Sequence, residues 1–169
     1  MIDIKRKLKN FGPLEFLVFS SLAYVVIMLI WTASTRSSVL QKANDIKFNH
    51  KTIVEFINNE VNICSSNENG LTSWGENCNS TWNSSNIVKY ILDNFKLNNP
   101  YNIDKPLIQT SQDPRIQAEG KAGQSTDKGI IFVSENNFEA DAGSEWIIGT
   151  CIKSPCVAAG NNELVSVYR

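Results

Sequence analysis

The sequence predicts an α+β fold in which a long N-terminal helix, transmembrane and then amphipathic, packs on a small antiparallel β-sheet. Three observations predict it. The run FLVFSSLAYVVIMLIW from Phe16 to Trp31 carries no charge; apolar residues then recur in steps of three and four from Val39 to Val61; and short β-rich segments separated by turn residues fill the chain after Pro100.

Extended back over Phe11–Leu14 and on to Ala33, the uncharged run reaches the roughly twenty residues a helix needs to cross a bilayer. Glu15 is the single ionised side chain in that extended span. Lys5, Arg6, Lys7 and Lys9 precede it against Asp3, and this excess places the N-terminus in the cytoplasm by the positive-inside rule. A cleaved secretory signal would share the basic start and apolar core. The run is long for that, however, Trp31 suits an interfacial anchor, and Ala33-Ser34-Thr35 lacks a small-x-small cleavage pattern.

Between Trp31 and Gly70 there is neither Gly nor Pro. Val39, Ala43, Ile46, Ile53, Ile57 and Val61 form one stripe, with Val54 beside it and His50 filling the step between 46 and 53. Lys42, Asp45, Lys47, Lys51, Glu55 and Asn59 form the opposite face. One helix from about residue 12 to 62, on the order of 75 Å long, accounts for both halves. The expected organisation is a basic leader (1–10), a transmembrane helix (11–34), its amphipathic continuation packed on the head (35–62), and a disulfide-stapled head (63–169).

In the head, SSNENGLTSWGEN reads as a loop. Ser84 or Ser85 is the expected N-cap of a short helix whose apolar face is Ile87, Val88, Tyr90, Ile91, Leu92 and Phe95, ended by Asn98-Asn99-Pro100-Tyr101. Strands are expected at Leu107–Thr110, Arg115–Ala118, Gly129–Ser134, Glu145–Ile152 and Leu164–Arg169. Their close spacing suggests hairpins, hence an antiparallel sheet with one face covered by the helical stripe.

At 169 residues with a formal charge of -1, the chain has no basic excess pointing to nucleic acid, and no specific nucleic-acid site is evident. Its Asn-rich composition is the kind an AT-rich genome produces. Cys64, Cys78, Cys151 and Cys156 all follow the span, so they share one non-cytoplasmic, oxidising compartment. Of the three possible pairings, Cys64–Cys78 with Cys151–Cys156 demands least of the fold. Cys151–Cys156 has C-x4-C spacing, but zinc is disfavoured because thirteen residues part Cys64 from Cys78 and the sole histidine, His50, supplies no second ligand pair.

The remaining candidates read as structural. His50, the sole histidine, has no partner placed for catalysis. Trp74, Trp82 and Trp146 are expected in the core. Glu135, Glu139, Asp141 and Glu145 lack a Ca²⁺-loop pattern and read as a solvated turn, so no metal site is assigned. Asn79-Ser80-Thr81 and Asn83-Ser84-Ser85 fit the N-glycosylation acceptor pattern, a weak signal by itself. With no nucleophile elbow, P-loop or dinucleotide fingerprint, neither an enzyme nor a cofactor is expected.

The basic leader, the helix running from membrane to amphipathic, the loop, and the expected antiparallel sheet with its C-terminal disulfide together resemble type IV pilins and type II secretion pseudopilins. The motif that carries the resemblance is Asn-Phe-Gly-Pro-Leu-Glu at 10–15, where Phe11 and Glu15 stand at the family's separation of new N-terminus and glutamate. Asn98-Asn99-Pro100-Tyr101 is similar to the Asn-Pro-Tyr that follows the head helix in many pseudopilins. Asn10 stands where the family has Gly, and Gly12 and Pro13 follow where larger apolar or hydroxyl residues are usual.

The resemblance implies cleavage between Asn10 and Phe11 by a prepilin peptidase, N-methylation of Phe11, and pairing of Glu15 with the new amine of a neighbouring subunit to set register. It implies assembly on an inner-membrane platform, through contacts with lipid and with other pilins, into a homo-oligomeric helical filament. That filament serves motility, adhesion, DNA uptake or surface attachment. The alternatives are a pseudopilin of a secretion system, or an unprocessed membrane-tethered periplasmic binding or sensor module.

Overall fold

The computed structural model describes residues 12–119, 128–137 and 144–169. The chain divides into two compact units, residues 1–41 and residues 42–169. Helix α1, Pro13–Ser66, contributes to both. In the first unit every described residue after Gly12 is exposed. Val39, expected on the packed stripe, is 49% exposed and belongs to this unit, so the buried stripe starts at Ala43.

From Ala43 onward α1 turns one face to the core. Ile46, Ile53 and Ile57 are fully buried, and Val61 and Cys64 continue the line. Two polar residues not expected there, Asn49 and Glu60, are buried on the same face. The loop after α1 is closed by the Cys64–Cys78 disulfide, with a Cα–Cα distance of 5.0 Å.

Helix α2, Ser84–Asn94, starts one residue earlier than expected because Asn83, not Ser84 or Ser85, is its N-cap. The Asn83 Oδ1 accepts the Ser85 N–H at 2.8 Å. It also ends before Pro100 is reached: Phe95 is already extended, its N–H donating to the Ile91 carbonyl at 2.9 Å. Ile87 and Ile91 are buried as expected, whereas Leu92 is exposed. Phe95, beyond the helix end, meets Phe56 edge-on at 5.1 Å.

Among the described residues the sheet holds four strands, β1 Ile108–Thr110, β2 Ile131–Asn137, β3 Ser144–Cys151 and β4 Asn162–Tyr168, in that order. It is mixed rather than antiparallel: β2–β3 and β3–β4 are antiparallel, but β1 pairs with β2 in parallel. The cause is the segment read as a fifth strand. Arg115–Ala118 lies inside a helix, α3, Pro114–Glu119. Asp113 caps it, its Oδ1 accepting the Arg115 N–H at 3.0 Å, and Pro114 takes the first helical position, where its missing N–H costs nothing. A parallel pair cannot be joined by a tight turn, and α3 lies on the connection between β1 and β2.

Strand alternation then sorts the sheet into two faces. Ile131, Val133, Trp146, Ile148 and Val167 join the α1 stripe and Ile87 and Ile91 of α2 in one core. Phe132, Ile147 and Gly149 face the other way, toward α3. A Cβ on Gly149 would meet the Pro114 carbonyl oxygen at 2.7 Å and the Ala118 Cβ at 3.0 Å, so glycine there lets the helix approach the sheet. Both faces of the sheet are therefore covered, where the sequence reading expected a cover on one.

Candidate membrane and assembly surface

The surface set apart by its chemistry is the first part of α1. Leu14, Phe16, Leu17, Ile27, Ile30 and Trp31 are each at least 60% exposed, and the intervening large apolar residues are exposed as well. A helix apolar on all sides buries itself in lipid or among other helices. This one is long and apolar enough to cross a membrane. At about 25 cal/mol per Å² of apolar surface, leaving it in water is strongly unfavourable.

Its polar atoms fit a dry environment. The hydroxyl of Ser20 donates to the Leu17 carbonyl at 3.0 Å and that of Ser21 to the Val18 carbonyl at 2.8 Å. Thr32 and Thr35 donate at 3.0 Å to Met28 and Trp31. Hydroxyls bonded to their own helix need no water, which lets them sit in hydrocarbon.

Glu15 lies in the first turn. Its Oε2 accepts the Gly12 N–H at 3.0 Å, while the Gly12 carbonyl accepts the Phe16 N–H at 3.1 Å. Gly12 is thus the N-cap, Pro13 the first helical residue, and Glu15 the third, reaching back as in one half of a capping box. A carboxylate also suits the partial positive charge of a helix N-terminus. Asn10 and Phe11, the expected cleavage pair, lie outside the described residues.

In the head unit Cys64 bonds Cys78, and Cys151 bonds Cys156 with a Cα–Cα distance of 5.3 Å. Trp82 and Trp146 are buried with ring centroids 6.0 Å apart, and Trp74 stands edge-on to Trp82 at 5.0 Å. His50 is buried, with Nε2 3.2 Å from the Ile148 carbonyl oxygen.

The acidic stretch is not a solvated turn as a whole. Glu145 is buried on β3, bonded by the Arg115 Nη2 at 3.3 and 3.4 Å and by the Tyr168 hydroxyl at 3.1 Å; Glu135 is on β2, and Glu139 and Asp141 lie outside the described residues. Among the described residues no group of three or more His, Cys, Asp or Glu side chains is placed to hold a metal ion.

Sequence reasoning missed two polar anchors. The buried Glu60 carboxylate accepts the Ser73 N–H at 3.0 Å and the Ser73 hydroxyl, tying α1 to the disulfide loop. The Glu76 carboxylate accepts from the Trp74 indole at 2.8 Å, the Asn83 N–H at 3.0 Å and the Asn86 amide at 2.5 Å. Glu60 had a signal, since it stands three residues after Ile57 on the apolar stripe. Glu76 had none, because it stands in an aperiodic loop and its partners are Trp74 of that loop and the N-cap and first turn of α2.

No family model, curated protein or solved structure matches this chain.

Proposed function

We propose that this protein is a membrane-anchored structural subunit of a type IV pilus-like filament, polymerising through the apolar first part of α1. The observation that carries the reading is that this helix is exposed and apolar on every side from Leu14 to Trp31, with Glu15 as its one ionised residue. At the centre of a span a charged side chain costs about 2.5–3.5 kcal/mol on insertion scales. Glu15, in the first turn of α1, stands toward the end of the span where the cost is smaller, and ionised residues within spans tend to be functional. In the filament the apolar helices pack together, Glu15 sets register against the amine of a neighbour, and the disulfide-stapled head forms the outer surface. The N-terminus is cytoplasmic before processing, and the head lies outside the cytoplasm.

Mass spectrometry of the mature N-terminus from native membranes tests this. Phe11, N-methylated, is the expected first residue; an intact Met1 excludes assembly by this route. Glu15→Ala is expected to leave membrane insertion unchanged and to abolish filaments, and undiminished filaments remove the register role.

One observation favours a second reading, the unprocessed tether. Glu15 already has a partner within its own chain, the Gly12 N–H, so capping α1 gives the carboxylate a use that requires no neighbour. In this version the helix only anchors a binding or sensor head, and the same experiment finds Met1 retained, no filaments, and a lower helix content in the Glu15→Ala chain.

A further inference from the structure

The two edges of the sheet are built differently. β1 ends it on one side as a strand of three residues, Ile108–Thr110. β4 ends it on the other with seven, Asn162–Tyr168, all of them paired with β3. Among the described residues β3 is the only backbone hydrogen-bonded to β4, so the groups along the outer side of β4 are left for another strand. Edge strands are ordinarily blunted by brevity, a bulge, proline or lysine. The sequence of β4, NELVSVY, has no proline, lysine or glycine, and its register with β3 has no bulge.

Alternation divides the side chains of this edge. Val167 is in the core and Val165 packs against it, so Glu163 and Arg169 fall on that side. Leu164, Ser166 and Tyr168 face the other way, with Leu164 41% and Tyr168 68% exposed. Glu163 pairs with Lys47 of α1 at 3.4 Å, a contact in which both side chains stay partly exposed. Arg169 holds its guanidinium 4.2 Å from the Trp82 ring, and its Nη1 donates to the Ser80 carbonyl at 2.8 Å. Glu76 and Glu135 of its own chain act on it electrostatically. A guanidinium carries several N–H donors, so the bond to Ser80 leaves others to give.

A second copy of this edge complements the first. Two identical edge strands that extend one sheet pair antiparallel about a two-fold axis normal to it, with one residue opposite itself. Glu163 and Arg169 each stand three residues from Ser166 (166 − 163 and 169 − 166). With Ser166 on the axis, Glu163 of each copy is opposite Arg169 of the other, and Leu164 is opposite Tyr168. An axis at Val165 sets Glu163 against Val167 instead, and an axis at Val167 sets Arg169 against Val165.

We propose that β4 is a dimerisation edge, through which two copies of this chain join their sheets with antiparallel β4 strands centred on Ser166. Backbone hydrogen bonds hold the strands together, as in other cases of strand addition. The two Glu163–Arg169 pairs fix the register, and Leu164 of each copy covers Tyr168 of the other. The contact is made by the head unit and is independent of polymerisation through α1.

The test uses the full chain in detergent, with isotopically light and heavy copies mixed. Tyr168→p-benzoylphenylalanine is expected to give crosslinked dimers of one light and one heavy copy, the adduct mapping between Glu163 and Ser166. Leu92, 46% exposed on α2, carries the same probe as control and is expected to give no adduct on β4. Glu163→Arg and Arg169→Glu, each alone, are expected to cut the yield at 168 about tenfold, since each change acts twice across the axis. Mixing the two single variants is expected to restore it as heterodimers, which misfolding of either would not allow. Leu164→Lys, at an exposed position, is expected to abolish the adduct without any change to the charged pair. Dimers whose adducts lie outside β4, the absence of dimers at 168, or a yield that ignores these substitutions each overturn the proposal.

Discussion

The Nε2 of His50 lies 3.2 Å from the carbonyl oxygen of Ile148, so α1 donates a hydrogen bond into β3, a strand paired on both sides. A carbonyl oxygen only accepts, hence the proton is on Nε2. Burial holds the imidazole pKa below its ordinary 6.5, against the opposing pull of the Ile148 carbonyl and of Glu163 on β4. Lys47 pairs with Glu163 at 3.4 Å and weakens that pull.

A depressed histidine pKa has a definite consequence for pH dependence. The unfolded chain takes up a proton at the ordinary value while the folded chain resists it, so the unfolded state binds more protons in this window. The contribution is fully present above 6.5 and is lost as pH falls through the lowered folded value. Urea midpoints are expected to fall on acidification from 6.5 downward. His50→Gln, which keeps a donor for Ile148, is expected to flatten that step; a step that persists in this variant would assign it elsewhere.

A lower pH window belongs to Glu145. Its carboxyl pKa is held below the ordinary 4.5 first by a hydrogen bond from Ser166, with Tyr168 and Arg115 adding to it and burial opposing them. A carboxylate with a depressed pKa stabilises the fold above its unfolded value and loses that contribution as pH falls through the folded one. Glu145→Gln is therefore expected to flatten the acid limb below 4.5 and to leave the His50 step untouched. Measuring the two variants in parallel separates the two groups.

The seat of α3 on the sheet depends on one missing methyl. Gly149→Ala drives a Cβ against the Pro114 carbonyl oxygen and the Ala118 Cβ, an overpacking expected to cost about 1–3 kcal/mol. Asp113→Ala removes the α3 cap and is expected to cost about 1 kcal/mol. Chemical denaturation of both variants checks the ordering, with Gly149→Ala the larger loss.

On the opposite face, Ile57→Ala opens a cavity in the core that α1 shares with α2 and the sheet. Ile57 is fully buried, and about 2–5 kcal/mol is expected. Ile63→Ala, at a position 46% exposed on the same helix, is the matched control and is expected to cost well under 1 kcal/mol. Equal losses at the two positions would place the core elsewhere.

The two disulfides are expected to contribute unequally. They close sequence separations of 14 and 5, worth about 3 and 2 kcal/mol in the chain-entropy picture. Paired Cys→Ser replacement at Cys64 and Cys78 is expected to lower stability more than replacement at Cys151 and Cys156. The first bridge also holds the loop in which Glu60 reaches Ser73 and Glu76 reaches Asn83, so its loss is expected to raise proteolysis between 67 and 80.

Elements written in local patterns are legible in the amino-acid sequence. Period and hydropathy mark α1 to within a few residues of both ends. Alternation and β-branched content mark four strands, because side chains on a pleated strand answer to the face they occupy. The error at Arg115–Ala118 also has a local cause. Asp113-Pro114 is a cap followed by a first-turn proline, a helix signal that the strand reading of Ile116 and Ala118 leaves out. With that helix misread as a strand, the crossover disappears and β1 takes the wrong direction.

Sequence by itself determined the apolar helix, its continuation as an amphipathic stripe, and the short strands of the head, since each is a repeat along the chain set by 3.6 or 2 residues per period. Tertiary structure decided what those repeats meet. It paired β1 parallel to β2, placed α3 over Gly149, brought Glu145 to Arg115, Ser166 and Tyr168, and set His50 against the Ile148 carbonyl. These are contacts between residues far apart in sequence, fixed by the common requirement that both faces of one sheet be covered and by the advantage of giving a buried polar group a partner.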